Sequence, residues 1–179
     1  MDLLSAVIVP VPAAEPLVGA LRAELDRHAA LGVPAHVTVM APFLPAAALD
    51  AATVADLAAV VATVPAFDVA FTQVRWFDDR LVYLAPEPAA PFVALTEAVG
   101  ERFGLQPYGG EHEPVPHLTV AYDAPAERLQ AVAAELAGGL PVVAEIDQAV
   151  LYVEADGRWA PHLPLPLGTR SGSGARIRA

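Results

Sequence analysis

The apolar positions of this chain change period several times, and the changes divide it into alternating strands and helices. "LLSAVIVPVP" (3–12) is continuously apolar, short and closed by prolines, as a buried strand should be. "EPLVGALRAELDRHAALG" (15–32) has Pro in a first-turn position, apolar residues at 17, 18, 21 and 25, and a terminal Gly32, which predicts one helix. "HVTVMAPF" (36–43) reads as a strand. "LDAATVADLAAVVATV" (49–64) carries Val54, Leu57, Val60, Val61 and Val64 at helical spacing. In "AFDVAFTQVRWF" (66–77) the spacing drops to two, with Phe67, Val69 and Phe71 on one face, and "DDR" turns the chain into the strand "LVYLAP" (81–86). The order then recurs. "APFVALTEAVGERFG" (90–104) is a helix, "HLTVAY" (117–122) a strand, and "PAERLQAVAAELAGG" (125–139) a helix. "PVVAEIDQAVLYVE" (141–154) is read as one strand that turns at "ADG" into "RWAPHLPLPL" (158–167).

The recurrence extends to single residues. Pro16-Leu17-Val18 matches Pro91-Phe92-Val93, Val33-Pro34 and Val115-Pro116 precede the two His-containing strands, and Pro42 and Pro125 precede the helices that follow them. These echoes predict an internal duplication, with two similar lobes related by a pseudo-twofold axis. Equivalent strand residues would then face each other across one cleft, bringing His36 and His117 together although they lie about eighty residues apart.

Those two histidines head the same motif, His-x-Thr-Val, in "HVTV" and "HLTV". Chance would place roughly 0.02 copies in a chain of this composition, so a pair calls for a cause. On a strand successive side chains alternate faces, so His36 and Thr38 point one way and Val37 and Val39 the other. His117 and Thr119 are arranged alike. The valines anchor each strand in the core, and each strand presents an imidazole and a hydroxyl on its opposite face. Two such pairs across a cleft surround a small volume with four polar groups suited to a phosphodiester and its two non-bridging oxygens. An imidazole of ordinary pKa near 6.5 allows one neutral and one protonated ring to coexist near neutrality. One takes a proton from the attacking oxygen while the other gives one to the leaving oxygen.

Composition narrows the chemistry. The 179 residues, 55% of them hydrophobic, suffice for one globular domain. The absence of Cys excludes disulfides, thiolate-bound zinc and a cysteine nucleophile, and fits a reducing cytoplasm. No basic N-terminal leader precedes an apolar run, and no apolar run approaches the roughly 20 residues of a spanning helix, so a cytoplasmic protein without membrane association is expected. The net charge is −11, and all ten cations are Arg. They are scattered singly until "TRSGSGARIRA", which argues against long duplex nucleic acid as a partner. Residues 169–179 are rich in Gly and Ser and lack periodicity, and are read as a disordered tail.

The two motifs, their spacing and the duplicated α+β pattern resemble the 2H phosphoesterase superfamily, which includes the 2′-5′ RNA ligase and RNA 2′,3′-cyclic phosphodiesterase proteins. The resemblance runs from the first strand to "LPLPLG", and residues 1–168 form a single domain of two intertwined lobes on this reading. It implies a bilobal fold of two antiparallel sheets lining a central cleft with helices outside, and metal-independent chemistry; no cofactor is expected, and a monomer is. The implied substrates are small nucleotides or RNA ends carrying a 2′,3′-cyclic phosphate or a 2′-5′ linkage. By match to the motif, His36 and His117 inherit the catalytic role, and Thr38 and Thr119 the binding of the phosphate. Phe43, the aromatic after the first motif, and Tyr122 at the end of the second strand are further candidates for substrate binding.

Other readings compete. A binding module on the same fold would sense a nucleotide or RNA end without turnover. "EHEPVPH" offers Glu111, His112, Glu113 and His117 to zinc, but its two prolines oppose the helical geometry such spacing normally uses. His28 is read as a solvated surface residue, and His162 has no evident partner. Tyr108 and Trp76 join Phe43 and Tyr122 as aromatics able to stack on a base. Arg75 and Arg158 lie on hairpins within reach of a phosphate. "QPYGGEHEPVP" (106–116), with Gly109-Gly110, is a candidate rim or lid for the cleft.

Overall fold

The computed structural model describes residues 4–110 and 113–170. The tail beyond Arg170, and Glu111 and His112 of the zinc reading, lie outside the described residues. The elements are β1 (Ser5–Pro10), α1 (Glu15–Leu25), α2 (Arg27–Ala30), β2 (His36–Met40), α3 (Ala51–Val61), β3 (Phe67–Phe77), β4 (Leu81–Glu87), α4 (Ala90–Phe103), β5 (Leu118–Tyr122), α5 (Ala126–Gly138), β6 (Val142–Ile146), β7 (Gln148–Ala155) and β8 (Arg158–Pro166). No helix among the described residues is long and apolar enough to cross a membrane.

Two four-stranded antiparallel sheets organise the molecule, in the orders β2-β1-β7-β8 and β5-β4-β3-β6. Each motif strand is the edge of its sheet, β2 beside β1 and β5 beside β4. The two edges approach each other across the centre. This is the α+β, duplicated, two-sheet fold that the sequence predicts. The alternation within the motif strands is as expected: Val37, Val39, Leu118 and Val120 are buried, while His36, Thr38, His117 and Thr119 are half-buried on the other face. Each buried valine or leucine stabilises the fold by roughly 1.5–3 kcal/mol, which holds the imidazole-bearing face in register. The same core takes in Val7 and Val9 of β1, Val82 and Leu84 of β4, and Leu57, Leu95 and Leu129 of the helices, so the sheets share one apolar interior.

Three boundaries differ from the sequence reading. The run 141–154 is two strands: β6 pairs with β3 in one sheet, and after Asp147 the chain crosses to the other, where β7 pairs with β1. The first sheet therefore draws β1 and β2 from the start of the chain and β7 and β8 from its end. The run 15–32 is broken at Asp26, whose extended backbone (φ −126°, ψ 105°) ends α1 and whose carboxylate caps α2 by accepting from the His28 amide. Finally, α3 ends at Val61, leaving Val64 beyond it, and begins at Ala51, directly after Asp50, whose carboxylate caps the helix by accepting from the Thr53 amide.

Candidate active site

Between the sheets lies a cleft of about 320 Å³, and both motifs open into it: His36, Thr38, His117 and Thr119 all line its wall. The two imidazoles are held in the same way. Nδ1 of His36 donates to the Pro34 carbonyl at 2.7 Å, and Nδ1 of His117 donates to the Val115 carbonyl at 2.6 Å. Each acceptor stands two residues upstream of its histidine, although the Val-Pro echoes themselves are out of register by one. A neutral imidazole that donates through Nδ1 carries its lone pair on Nε2, so both rings turn a proton-accepting nitrogen to the cleft.

Neither ring keeps its ordinary pKa. Burial lowers that of His36 to about 4, against the opposing pull of its bond to Pro34, with the Arg22 guanidinium adding to the depression. Burial likewise lowers that of His117, again against its backbone bond. Both are therefore neutral at pH 7 in the free protein. The expectation of one charged and one neutral ring near neutrality does not hold for the free protein, because burial penalises the charged form and outweighs the pull of Asp26 on His36, the one carboxylate charge that opposes it there.

The segment carrying His36 is fixed from below by a buried ion pair. Arg22 and Asp26 are 2% and 3% exposed, and Nη2 of Arg22 donates to Asp26 Oδ2 at 2.7 Å. The same guanidinium donates to the Val33 carbonyl at 3.3 Å, one residue before the carbonyl that anchors His36. Glu15 accepts from the Ala35 amide at 2.7 Å. Asp26, Arg27 and His28 line the cleft beside this support. The His28 ring is 6.2 Å from that of Tyr122, so His28 belongs to the cleft rim and not simply to the solvated surface.

Of the aromatic candidates, Tyr122 and Tyr108 line the cleft. The Tyr122 hydroxyl is buried with no hydrogen-bonding partner among the described residues, and the Arg27 guanidinium lies 5.9 Å from its ring. Tyr108 has a left-handed backbone (φ 54°, ψ 29°), uncommon for a residue with a side chain, and its amide donates to the Ala41 carbonyl at 3.0 Å. Burial raises its phenol pKa, opposed by a bond to Thr38. Trp76 lies in a neighbouring groove with Phe77, Tyr108 and His117. Phe43 is a correction: it is 5% exposed, packs edge-on against Phe103 at 5.0 Å and belongs to the core, so it is not placed to touch a substrate. His162 is exposed on β8. Sequence reasoning missed Tyr152 and Trp159, which line the cleft's apolar side with Ala6, Ile8 and Val33. For Tyr152 the signal was the unbroken apolar run 149–153 of β7, where a strand with one solvent-facing side would alternate; Trp159, on β8, carried no such signal. Among the described residues, no cluster of His and carboxylates is arranged to hold a metal.

Two antiparallel sheets with paired edge strands, each delivering a His and a Thr to a shared cleft, define the class of bilobal two-histidine phosphoesterase folds. Residues 9–164 match the family model of the 2′-5′ RNA ligase superfamily, and the chain belongs to that family. Among solved structures it is similar to Escherichia coli LigT in its apo form (TM-score 0.59, 19% identity, covering 94% of this chain and 100% of that one). It is likewise similar to LigT complexed with 3′-AMP (TM-score 0.58, 18% identity, 93% and 99%). The protein TT0787 of Thermus thermophilus has the same fold (TM-score 0.57, 18% identity, 94% and 99%). Among curated proteins none matches this chain by sequence.

Proposed function

We propose that this protein is a metal-independent phosphodiesterase that opens 2′,3′-cyclic phosphate ends of RNA or nucleotides, with 2′-5′ ligation as a related reaction of the same site. The observation that carries this reading is the pair of imidazoles, each anchored through Nδ1 to a carbonyl two residues upstream and each with a threonine beside it on one cleft. His36, the more strongly depressed, stays neutral and acts as base: its Nε2 takes the proton of water as the water oxygen bonds to phosphorus. His117 gives a proton from Nε2 to the ribose oxygen as its bond to phosphorus breaks, leaving a phosphomonoester. Thr38 and Thr119 donate hydrogen bonds to the phosphoryl oxygens as charge accumulates on them. If a 5′-hydroxyl attacks in place of water, the same proton transfers yield a 2′-5′ linkage. The 3′-AMP, phosphate and NADP⁺ held by LigT structures are phosphate-bearing ligands of that relative, which supports a phosphate-bearing substrate for the cleft here.

The test is to offer 2′,3′-cyclic nucleotides and short RNAs with cyclic ends, with EDTA present, and to follow products by phosphorus NMR. The expected result is conversion to 2′- or 3′-monophosphates undiminished by the chelator. Binding of these compounds without turnover would overturn the reading in favour of a sensing module.

A second expectation follows from the neutral rings. The acid must gain its proton as the anionic substrate enters, because a phosphodiester beside an imidazole favours its charged form. Binding of a non-hydrolysable phosphodiester near pH 7 is therefore expected to take up close to one proton. Its affinity should rise as pH falls from 7, and this dependence should fade as the free rings become protonated, for His36 at about 4. Titration calorimetry in two buffers of different ionisation enthalpy measures the uptake, and equal apparent enthalpies in both would contradict it.

A further inference from the structure

Beside the cleft, on the His117 side, the molecule carries a cation with no obvious structural task. In this chain of net charge −11, Arg22, Arg80, Arg102, Arg128 and Arg170 each pair with a carboxylate. Arg27, Arg75 and Arg158 form no ion pair among the described residues. Arg27 lies in the cleft over Tyr122, and Arg158 stands on the exposed β7–β8 hairpin. Arg75 is different, because the sheet register ties it to the motif. It pairs with Tyr83 across β3–β4, and Tyr83 pairs with Thr119 across β4–β5. Residues directly opposite one another in a sheet share a face, so Thr119, Tyr83 and Arg75 form one row, with about 5 Å between strands and about 10 Å from end to end. The face is continuous: Phe77 stacks on Tyr83 at 4.4 Å, and both rings meet His117, at 4.9 and 5.5 Å.

The guanidinium is also pre-set. Nε and Nη2 of Arg75 donate to Gln73 Oε1 at 2.9 and 2.7 Å, which fixes the plane of the group without neutralising it. Nη1 has no hydrogen-bonding partner among the described residues. Arg75 and Gln73 line a groove of about 370 Å³ with Tyr83, Val115 and Pro116, the last two being the residues that lead into His117. The carboxylate in that groove, Glu87, is engaged by the Thr72 hydroxyl at 3.3 Å.

We infer that Arg75, held by Gln73, is a second phosphate-binding subsite, so that the preferred substrate carries a further phosphate beyond the one that reacts. This rests on the cyclic phosphodiesterase reading and narrows its substrate class. The second phosphate is either the terminal 5′-phosphate of a nucleotide or the internucleotide diester of an RNA end, two sources of one chemistry. A planar guanidinium with a free edge binds either through charge-assisted hydrogen bonds.

The experiment compares kcat/KM of the full chain for three probes: adenosine 2′,3′-cyclic phosphate, its 5′-phosphorylated form, and a dinucleotide ending in the same cyclic phosphate. The wild type is expected to prefer at least one doubly phosphorylated probe by roughly 10- to 100-fold, the range of a hydrogen bond to a charged group. Arg75→Gln should bring that ratio to about one. Arg158→Gln, which removes the same charge from the other exposed hairpin, should retain it and so excludes a general effect of net charge. A preference for the 5′-phosphorylated probe alone identifies a mononucleotide substrate, and one for the dinucleotide alone an RNA end; either supports the subsite. An active wild type with a ratio near one, or a ratio that survives Arg75→Gln, overturns the inference and leaves the phosphodiesterase reading standing. Failure to open any probe overturns that reading, and the inference with it.

Discussion

Replacing His36 or His117 with Ala is expected to lower the rate of cyclic phosphate opening by about 10² to 10⁴, the range for a positioned general base or acid. The double replacement should cost much less than the product of the singles, because the two rings serve one proton relay and losing either disables it. Thr38→Ala and Thr119→Ala should cost less than either His loss, since each removes a single hydrogen bond to a phosphoryl oxygen. The pH profile of kcat/KM adds a separate check, because it reports the groups of the free enzyme. Burial lowers the pKa of both rings below the ordinary 6.5, that of His36 to about 4. Protonation of the base then cuts the rate only in distinctly acid solution, while loss of the proton from the acid begins below neutrality. The bell is expected to peak below pH 6.5 whichever ring is the base, not between 6 and 8 as two unperturbed imidazoles would suggest. Steady-state rates of the wild type and the four single variants from pH 4 to 9 test both points, and a maximum above pH 7 would show that burial does not govern these rings.

The parts of this molecule that were legible in its sequence are those governed by local alternation. His-x-Thr-Val specifies which side chains anchor a strand and which leave it, and the structure places Val37, Val39 and Val120 inside and His36, Thr38 and Thr119 on the cleft. The recurrence of the motif in matched surroundings carried the long-range contact, because a pseudo-twofold axis turns equal local positions into spatial neighbours. What depends on tertiary partners was not legible. The run 142–152 looks uniformly strand-like, yet the buried parity shifts from even positions (Val142, Ala144, Ile146) to include the odd Ala149 and Leu151 once the chain passes the polar pair Asp147-Gln148. That shift marks the crossing between sheets. Phe43 follows its motif as a substrate contact might, but position in sequence does not say which side of a sheet an aromatic beyond the strand's end will take. The pKa values of the histidines depend on how deep the cleft is, which no spacing encodes. Arg75 is exposed on β3, with β4 between it and the motif strand β5, and it is related to the site by the register Arg75–Tyr83–Thr119 and by the groove it shares with Val115 and Pro116, neither of which is written in its local sequence.

The least legible feature is the buried Arg22–Asp26 pair, and removing half of it is expected to be the most damaging change to stability. In sequence Arg22 follows Leu21 on what reads as an ordinary amphipathic helix, and Asp26 is one more polar residue before Arg27. Folding buries both almost completely. Burial alone would raise the Asp26 pKa, but hydrogen bonds from His28 and the charge of Arg22 outweigh it and hold the carboxyl below its usual range. Asp26→Leu leaves a guanidinium buried without its counter-charge, and Arg22→Met does the same to the carboxylate; each is expected to cost about 3–5 kcal/mol. The double variant should recover much of that loss, since a buried pair is often replaced by apolar groups at little net cost. Urea unfolding of the two singles and the double gives the cycle, and additive losses would show that the two residues act separately. Activity should not follow stability. Arg22 also holds the Val33 carbonyl, one residue before the Pro34 carbonyl that orients His36, so the double variant is expected to fold and yet show a reduced kcat. A double variant with both stability and kcat of the wild type would assign the pair no part in positioning the base. Stability regained with kcat still low separates the two tasks of one guanidinium: balancing the charge of Asp26, and fixing the turn from which the His36 imidazole reaches the cleft.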